Sequence, residues 1–215
     1  MERQYIAFIS YRHAPLDSYV AKKLHTLIEQ FAIPKALRKD GKRKLGLVFR
    51  DQEELPVSSD LSEDIRRALD HSEYLIVVCS PDTAQSPWVG REIEYFLAHH
   101  PRQRVFAVLA AGEPGDVFPY ALTHGENGME EVEPLALDAR GKNLAAVDRK
   151  LRKEAVRLYA AMLGCPYDDL AQRQQRRRRR NAILAASAVL AVSLGFSGML
   201  LVKNHQIDLK NRYPK

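Results

Sequence analysis

Residues 74–96 read "YLIVVCSPDTAQSPWVGREIEYF". The first part, "YLIVVCS" (74–80), is a near-continuous apolar run, the pattern of a strand covered on both faces. The second part opens a helix. Ser86 can cap its start, and Pro87 fits the first helical position, where a missing N–H costs nothing. Trp88, the chain's one tryptophan, stands four residues before Glu92. Ring and carboxylate therefore share one helical face.

The same strand-then-helix unit recurs on either side. "YIAFIS" (5–10) is a β-rich run, followed by a helical pattern with Val20, Leu24, Leu27, Ile28 and Phe31 on one face. "LGLVFR" (45–50) reads as a second strand. "SSDLSEDIRRALDHS" then starts a helix, with Asp60 and Glu63 spaced as a capping box. After the Ser86 helix come "VFAVLA" (105–110) and a weaker strand signal near 134–137. Val147, Leu151, Ala155, Leu158 and Met162 mark an amphipathic closing helix. Strand–helix alternation with short connections predicts an α/β fold, a parallel sheet between layers of helices.

Charge is unevenly placed along the 215 residues. Residues 1–170 hold 23 Lys+Arg against 26 Asp+Glu, a balance of −3, whereas residues 171–215 hold 10 against 1, a balance of +9. The basicity belongs to the tail, so a basic nucleic-acid-binding body is not expected. Two cysteines form no disulfide framework or C-x-x-C clip, which points to a reducing compartment. Cys79 reads as a small buried hydrophobe, and Cys165 falls at a helix end. The start, "MERQYIAFIS", lacks the pattern of a signal peptide.

Residues 182–202, "AILAASAVLAVSLGFSGMLLV", carry no charge and no proline. At about 1.5 Å per residue these 21 residues span roughly 31 Å, close to the hydrocarbon thickness of a bilayer. A core helix of this length would show a polar face, and this one offers only three serines. The expectation is a transmembrane helix. Six arginines between Arg173 and Arg180 precede it, favouring a cytoplasmic N-terminal domain and contact with anionic headgroups.

Ligands of parallel sheets gather outside the carboxyl ends of the strands. The residues leaving those ends are Ser10, Tyr11 and Arg12, then Arg50 and Asp51, then Ser80 and Pro81; the helix with Trp88 and Glu92 begins at the same edge. No G-x-G-x-x-G follows the first strand, and the chain has no Walker loop or G-x-S-x-G elbow. The first two absences exclude a Rossmann dehydrogenase and a P-loop NTPase. No H-x-x-x-H pair occurs; His99 and His100 read as a solvated helix end, and no metal site is expected.

"YIAFISYRH…D", "VFRDQEELPVSSDLSEDIRRALDHSEYLIVVCSP" and "SPWVGREI" resemble, in order and spacing, the Toll/interleukin-1 receptor (TIR) domain family, over roughly residues 4–165. The resemblance implies a flavodoxin-like three-layer fold with a five-stranded parallel sheet. The expected organisation is a TIR domain at 1–165, a basic linker at 166–181, a transmembrane helix at 182–202 and a short tail at 203–215. The resemblance also implies a gating and contact loop after the second strand, which often carries glycine in the family; here it reads "ELPVSSDLS", and the missing glycine is expected to stiffen it.

TIR domains of one kind only assemble with one another; those of another kind cleave NAD+ at its nicotinamide–ribose bond. In the second kind the essential glutamate follows a tryptophan-like position by four residues, which maps onto Glu92. Val89 stands where adaptors often carry cysteine. The resemblance thus implies a membrane-anchored NAD+ nucleosidase of signalling or defence, with NAD+ as substrate and no other cofactor. Glu92 is the expected catalytic carboxylate, with Ser10, Tyr11, Arg12, Arg50, Asp51 and Trp88 lining the pocket. Expected partners are further TIR domains, its own copies included, and membrane lipids. The rival reading is a non-enzymatic adaptor that recruits other TIR proteins at the membrane.

Overall fold

The computed structural model describes residues 5–38, 41–50, 61–124, 134, 136–171 and 187. The chain divides into two compact units, Met1–Tyr167 and Asp168–Lys215. In the first, five strands form one sheet: β1 (Tyr5–Ser10), β2 (Leu47–Arg50), β3 (Ser72–Cys79), β4 (Val105–Leu109) and β5 (Ala136–Asp138). Their order is β2-β1-β3-β4-β5, and every neighbouring pair is parallel. Sequence order reverses between β1 and β3, the position at whose carboxyl ends sheets of this kind bind ligands. Ile9 lies opposite Arg50, Ser10 opposite Val77, Cys79 opposite Leu109 and Leu109 opposite Asp138. The strand ends therefore line up along one edge.

The apolar run at the centre explains itself once the layers are in place. Leu75, Ile76, Val77, Val78 and Cys79 are all fully buried, because successive side chains point to opposite faces and both faces are covered. One face packs under α2 (Glu63–Asp70) and α4 (Pro87–His99). There Phe8, Leu75 and Val77 meet Ile65, Leu69, Val89, Ile93 and Phe96 in one cluster. The alternate residues Ala7, Ile9, Ile76 and Val78 point the other way, where α1 (Pro15–Gln30) and α7 (Leu144–Leu163) lie side by side. The Tyr159 hydroxyl donates to the Leu27 carbonyl at 2.9 Å, and its ring stacks on Phe31 with centroids 4.0 Å apart. Val147, Leu151, Ala155, Leu158 and Met162 form the buried stripe of α7, as their spacing predicts.

Short helices complete the edge: α3 (Pro81–Ala84), α5 (Pro114–Val117) and α6 (Tyr120–Thr123). Gly112 has φ +78°, and a Cβ there would stand 2.4 Å from Val117 Cγ1, so the turn after β4 requires glycine.

Four local expectations need correction. The cap of α2 is Ser62 rather than the expected Asp60, which lies outside the described residues; the Ser62 Oγ accepts from the Ile65 N–H at 3.3 Å. Starting two residues later buries Leu61, Ile65, Ala68 and Leu69 together, and it leaves Glu63 and Asp64 in the first turn, where the helix dipole favours acids. Strand β2 starts at Leu47 rather than at residue 45, because Gly46 (φ +150°) passes close to Ile6. Strand β5 covers Ala136–Asp138 rather than 134–137. His100 is half-buried and stacked on Phe96 at 4.1 Å; burial pushes its imidazole pKa down, so only His99 is a solvated end.

Of the second unit, residues 168–171 and 187 are described. Among the described residues no helix is long and apolar enough to cross a membrane. The expected span at 182–202, Ser187 apart, and the arginine cluster lie outside them.

Candidate active site at the carboxyl edge of the sheet

Helix α4 is held at its start by Ser86, whose Oγ accepts from the Val89 N–H at 3.5 Å, with Pro87 opening the first turn. Its inward stripe is Val89, Glu92, Ile93 and Phe96. A carboxylate thus occupies a position whose neighbours in the stripe are all core residues. Glu92 is only 7% exposed. Burying a carboxylate is costly unless it is hydrogen-bonded, and the bond is present: Ser10 Oγ donates to Glu92 Oε2 at 2.5 Å. Ser10 is the last residue of β1 and is itself 1% exposed. The bond joins the end of the second strand from the sheet's margin to the second turn of α4.

A second pair stands beside the first. Arg50, ending β2, donates from Nη1 to the Tyr11 hydroxyl at 3.2 Å, and its guanidinium carbon lies 6.0 Å from the Tyr11 ring centroid. Its Nε is buried and has no hydrogen-bond partner among the described residues. A desolvated guanidinium N–H is a donor in search of an acceptor, and a phosphate oxygen is the natural one. Tyr11 is buried and its ring also meets His13 at 5.0 Å.

Trp88 is half-buried and packs on the cluster beneath α4, while the Arg91 guanidinium lies 5.2 Å from its ring centroid. The indole therefore already accommodates a cation. Arg12 is exposed, and its place at this edge rests on its position two residues beyond Ser10. Asp51 lies outside the described residues. The structure thus brings together Ser10 with Glu92 and Tyr11 with Arg50, at adjoining strand ends; it places Trp88 one turn before Glu92 on the same helix.

One group at this edge, the aspartate that closes the first motif, had no role assigned to it from the sequence. Asp17, in the first turn of α1, is 1% exposed. Its Oδ2 accepts from Ser80 Oγ at 2.7 Å and from Thr83 Oγ1 at 2.9 Å, the cap and a residue of the short helix α3 that follows β3. Burial pushes the Asp17 pKa above the usual carboxylate range, only partly offset by the two hydroxyls, and the Asp82 charge adds to the rise. The signal was present in the spacing, since Asp17, Val20, Ala21, Leu24 and Ile28 form the buried stripe of α1. A polar residue at a stripe position marks a buried polar site. Cys79, close by, has its thiol pushed far up by burial and acts as an apolar filler rather than a nucleophile.

The Asp17 shift carries a sign. Its carboxyl binds a proton more tightly folded than unfolded, so its contribution is favourable below the ordinary carboxylate pKa and is lost as pH rises through the folded value. Asp17→Asn does not titrate. Its melting temperature relative to wild type is expected to be more favourable at pH 7 than in acid, as thermal unfolding across that range would show. A constant difference would contradict the buried carboxyl.

Among the described residues no group of three or more His, Cys, Asp or Glu could hold a metal ion. The edge carries the buried carboxylates Glu92 and Asp17, the Arg50 guanidinium, whose Nε has no partner among the described residues, and the half-buried Trp88 ring.

Comparison with known proteins gives four findings. A family model described as "TIR domain" matches residues 7–133. The NAD(+) hydrolase ApTIR of Actinoplanes sp. is 34% identical over 214 residues, covering 89% of this chain; the chain spans 28% of that protein's length. Among solved structures, the TIR domains of the activated Roq1 resistosome share 24% identity at a TM-score of 0.40, over 52% of this chain and 61% of theirs. A diflavin flavoprotein A3 from Nostoc sp. shares 14% at the same TM-score, over 84% and 99%.

Proposed function

The chain belongs to the TIR domain family, and from that membership we propose that it cleaves NAD+ between nicotinamide and ribose. The observation that carries the reading is Glu92, a buried carboxylate bonded to Ser10 at the end of β1, the strand beside which the sheet order reverses. The name of the Actinoplanes relative supports the same chemistry.

The residues suit the reaction. The bond between ribose C1′ and the pyridinium nitrogen breaks with its electron pair going to nitrogen, so nicotinamide leaves neutral and needs no acid. The ribose left behind has oxocarbenium character, and a fixed carboxylate stabilises that charge where it develops. Water then adds to C1′ and loses a proton, giving ADP-ribose; attack by the adenine in place of water gives a cyclic product. Glu92 is the catalytic carboxylate, and Ser10 fixes its direction. Arg50, held by Tyr11, offers its Nε–H to the pyrophosphate, and Arg12 and Asp51 are the further residues assigned to substrate binding. Trp88 shapes the pocket and takes a base or the cationic pyridine against its face.

The proposal extends to setting. Residues 182–202 anchor the chain in a membrane, the arginines before them meet anionic headgroups on the cytoplasmic side, and self-association of TIR domains raises activity by clustering. Signalling in defence is the matching role. These points rest on the sequence.

The test uses the full chain, reconstituted in vesicles containing anionic lipid and incubated with NAD+. Free nicotinamide is the expected product, formed faster at high surface density. Intact NAD+ at every density, with TIR–TIR binding preserved, would establish the adaptor instead. Ser10→Ala removes one hydrogen bond to a charged group, a change of about 1.5–3 kcal/mol, and is expected to lower kcat roughly 10- to 100-fold. Steady-state kinetics on the folded variant reads this, and an unchanged kcat would remove Ser10 from the site.

A further inference from the structure

Asp17 is the second buried carboxylate at this edge, and the proposed reaction leaves it without a task. Its contacts are specific. Oδ2 receives both the Ser80 and the Thr83 hydroxyls, and these lie within 3.1 Å of each other. Oδ1 is buried with no hydrogen-bond partner among the described residues. The bonds then continue along the chain towards α4. Ser80 Oγ caps α3 by accepting the Thr83 N–H. The Thr83 carbonyl accepts the Ser86 N–H at 3.0 Å, and the Ser86 carbonyl and Oγ accept the N–H groups of Gly90 and Val89. Hydrogen bonds joined through the backbones of Thr83 and Ser86 thus link Asp17 to the first turn of α4, where Trp88 sits, one turn before Glu92.

At its other end Asp17 belongs to the first turn of α1, the helix that follows β1 and Ser10. The Ser10–Glu92 bond needs the end of β1 and the start of α4 held in register, and Asp17 ties together the two connections that leave β1 and β3. We infer that Asp17 is a positioning residue, a clasp between the β1–α1 and β3–α4 connections that sets the entry of α4 and with it the places of Trp88 and Glu92. The clasp is a statement about structure; its kinetic consequence alone rests on the NAD+-cleaving reading.

The chemistry of the clasp makes a distinction that bulk stabilisation would not. Only one carboxyl oxygen is used, so asparagine can keep both hydroxyls on its carbonyl oxygen and place its NH2 at the position now unpartnered. Asp17→Asn should therefore preserve the clasp, whereas Asp17→Ala removes the acceptor. Trp88, the chain's one tryptophan, reports directly on the entry of α4 without any substrate.

The experiment compares acrylamide quenching of Trp88 in the full-length wild type, Asp17→Ala and Asp17→Asn, with far-UV circular dichroism to establish folding. Loosening of the turn is expected to raise the quenching constant of Asp17→Ala roughly twofold, with Asp17→Asn near wild type. In nicotinamide release, Asp17→Ala is expected to lose about tenfold in kcat with KM little changed, since Asp17 touches no substrate, and Asp17→Asn to recover it. If Asp17→Ala does not fold, Thr83→Val, which removes one of the two bonds, takes its place in both assays. A folded Asp17→Ala or Thr83→Val variant whose Trp88 is quenched as in wild type overturns the clasp, and so does an Asp17→Asn variant as perturbed as Asp17→Ala. A wild type that releases no nicotinamide defeats the enzymatic reading, and the Trp88 measurement still decides the clasp.

Discussion

Glu92→Gln is expected to lower nicotinamide release by about 10²- to 10³-fold, the loss typical when a group aimed at developing transition-state charge is removed. The substitution is chosen for what it leaves intact. Glutamine has nearly the same volume, and its carbonyl oxygen can still accept the Ser10 hydroxyl that now lies 2.5 Å from Oε2. Only the negative charge goes, taken from a site that is 7% exposed and therefore poorly screened. The fold should persist, because a neutral amide is less costly to bury than a carboxylate. The loss should appear in kcat and kcat/KM together, as expected for an interaction made with the ribosyl cation rather than with ground-state NAD+. Unaltered turnover in a folded Glu92→Gln protein would show that the carboxylate is a buried structural acid.

Phe96→Ala is expected to cost about 3–5 kcal/mol of stability, a large share of what a domain of this size possesses. Phe96 is fully buried on the same stripe as Glu92, among Leu69, Leu75, Val77 and Ile93. Its other face is stacked on His100, with centroids 4.1 Å apart and planes 8° from parallel. Truncation removes a whole ring from between α4 and the sheet, and the strands below cannot collapse into the space. Urea unfolding should show a lower midpoint with little change in slope. Glu94→Ala, on the exposed side of the same helix, should stay within about 0.5 kcal/mol of wild type. A Phe96→Ala protein as stable as that control would mean that α4 is not anchored through this ring.

How much of this was legible depended on period. The run at 74–80 and the stripe of α7 were readable because burial on two faces or on one face writes an unmistakable pattern. The start of α4 was readable because Ser86 and Pro87 have few other uses together. Legibility failed where several residues could serve the same local purpose. Ser58, Ser59, Asp60 and Ser62 are all plausible caps for α2, and the choice of Ser62 follows from which register buries Ile65 and Leu69, a tertiary matter. Strand β5 is three residues long and has too few positions to show a period.

The site was legible in parts. Glu92 could be singled out because it follows Trp88 by four residues in a family-like motif, but its partner Ser10 is 82 positions away, and no local pattern joins the two. The pairing of Tyr11 with Arg50 arises from adjacent strands and is equally invisible along the chain. Asp17 sits where an acidic residue is expected to serve the helix dipole, so its first-turn position concealed its burial.

The central claim, that Glu92 meets the ribose of NAD+ as nicotinamide departs, is tested most directly by a crystal structure of the protein with a carbocyclic NAD+ analogue that cannot release its pyridine. The account predicts the nicotinamide-side ring hydroxyls within hydrogen-bond reach of Glu92, about 2.6–3.2 Å, and the pyrophosphate on Arg50. An analogue bound elsewhere, with the Glu92 carboxylate still closed on Ser10 and remote from the sugar ring, would contradict it.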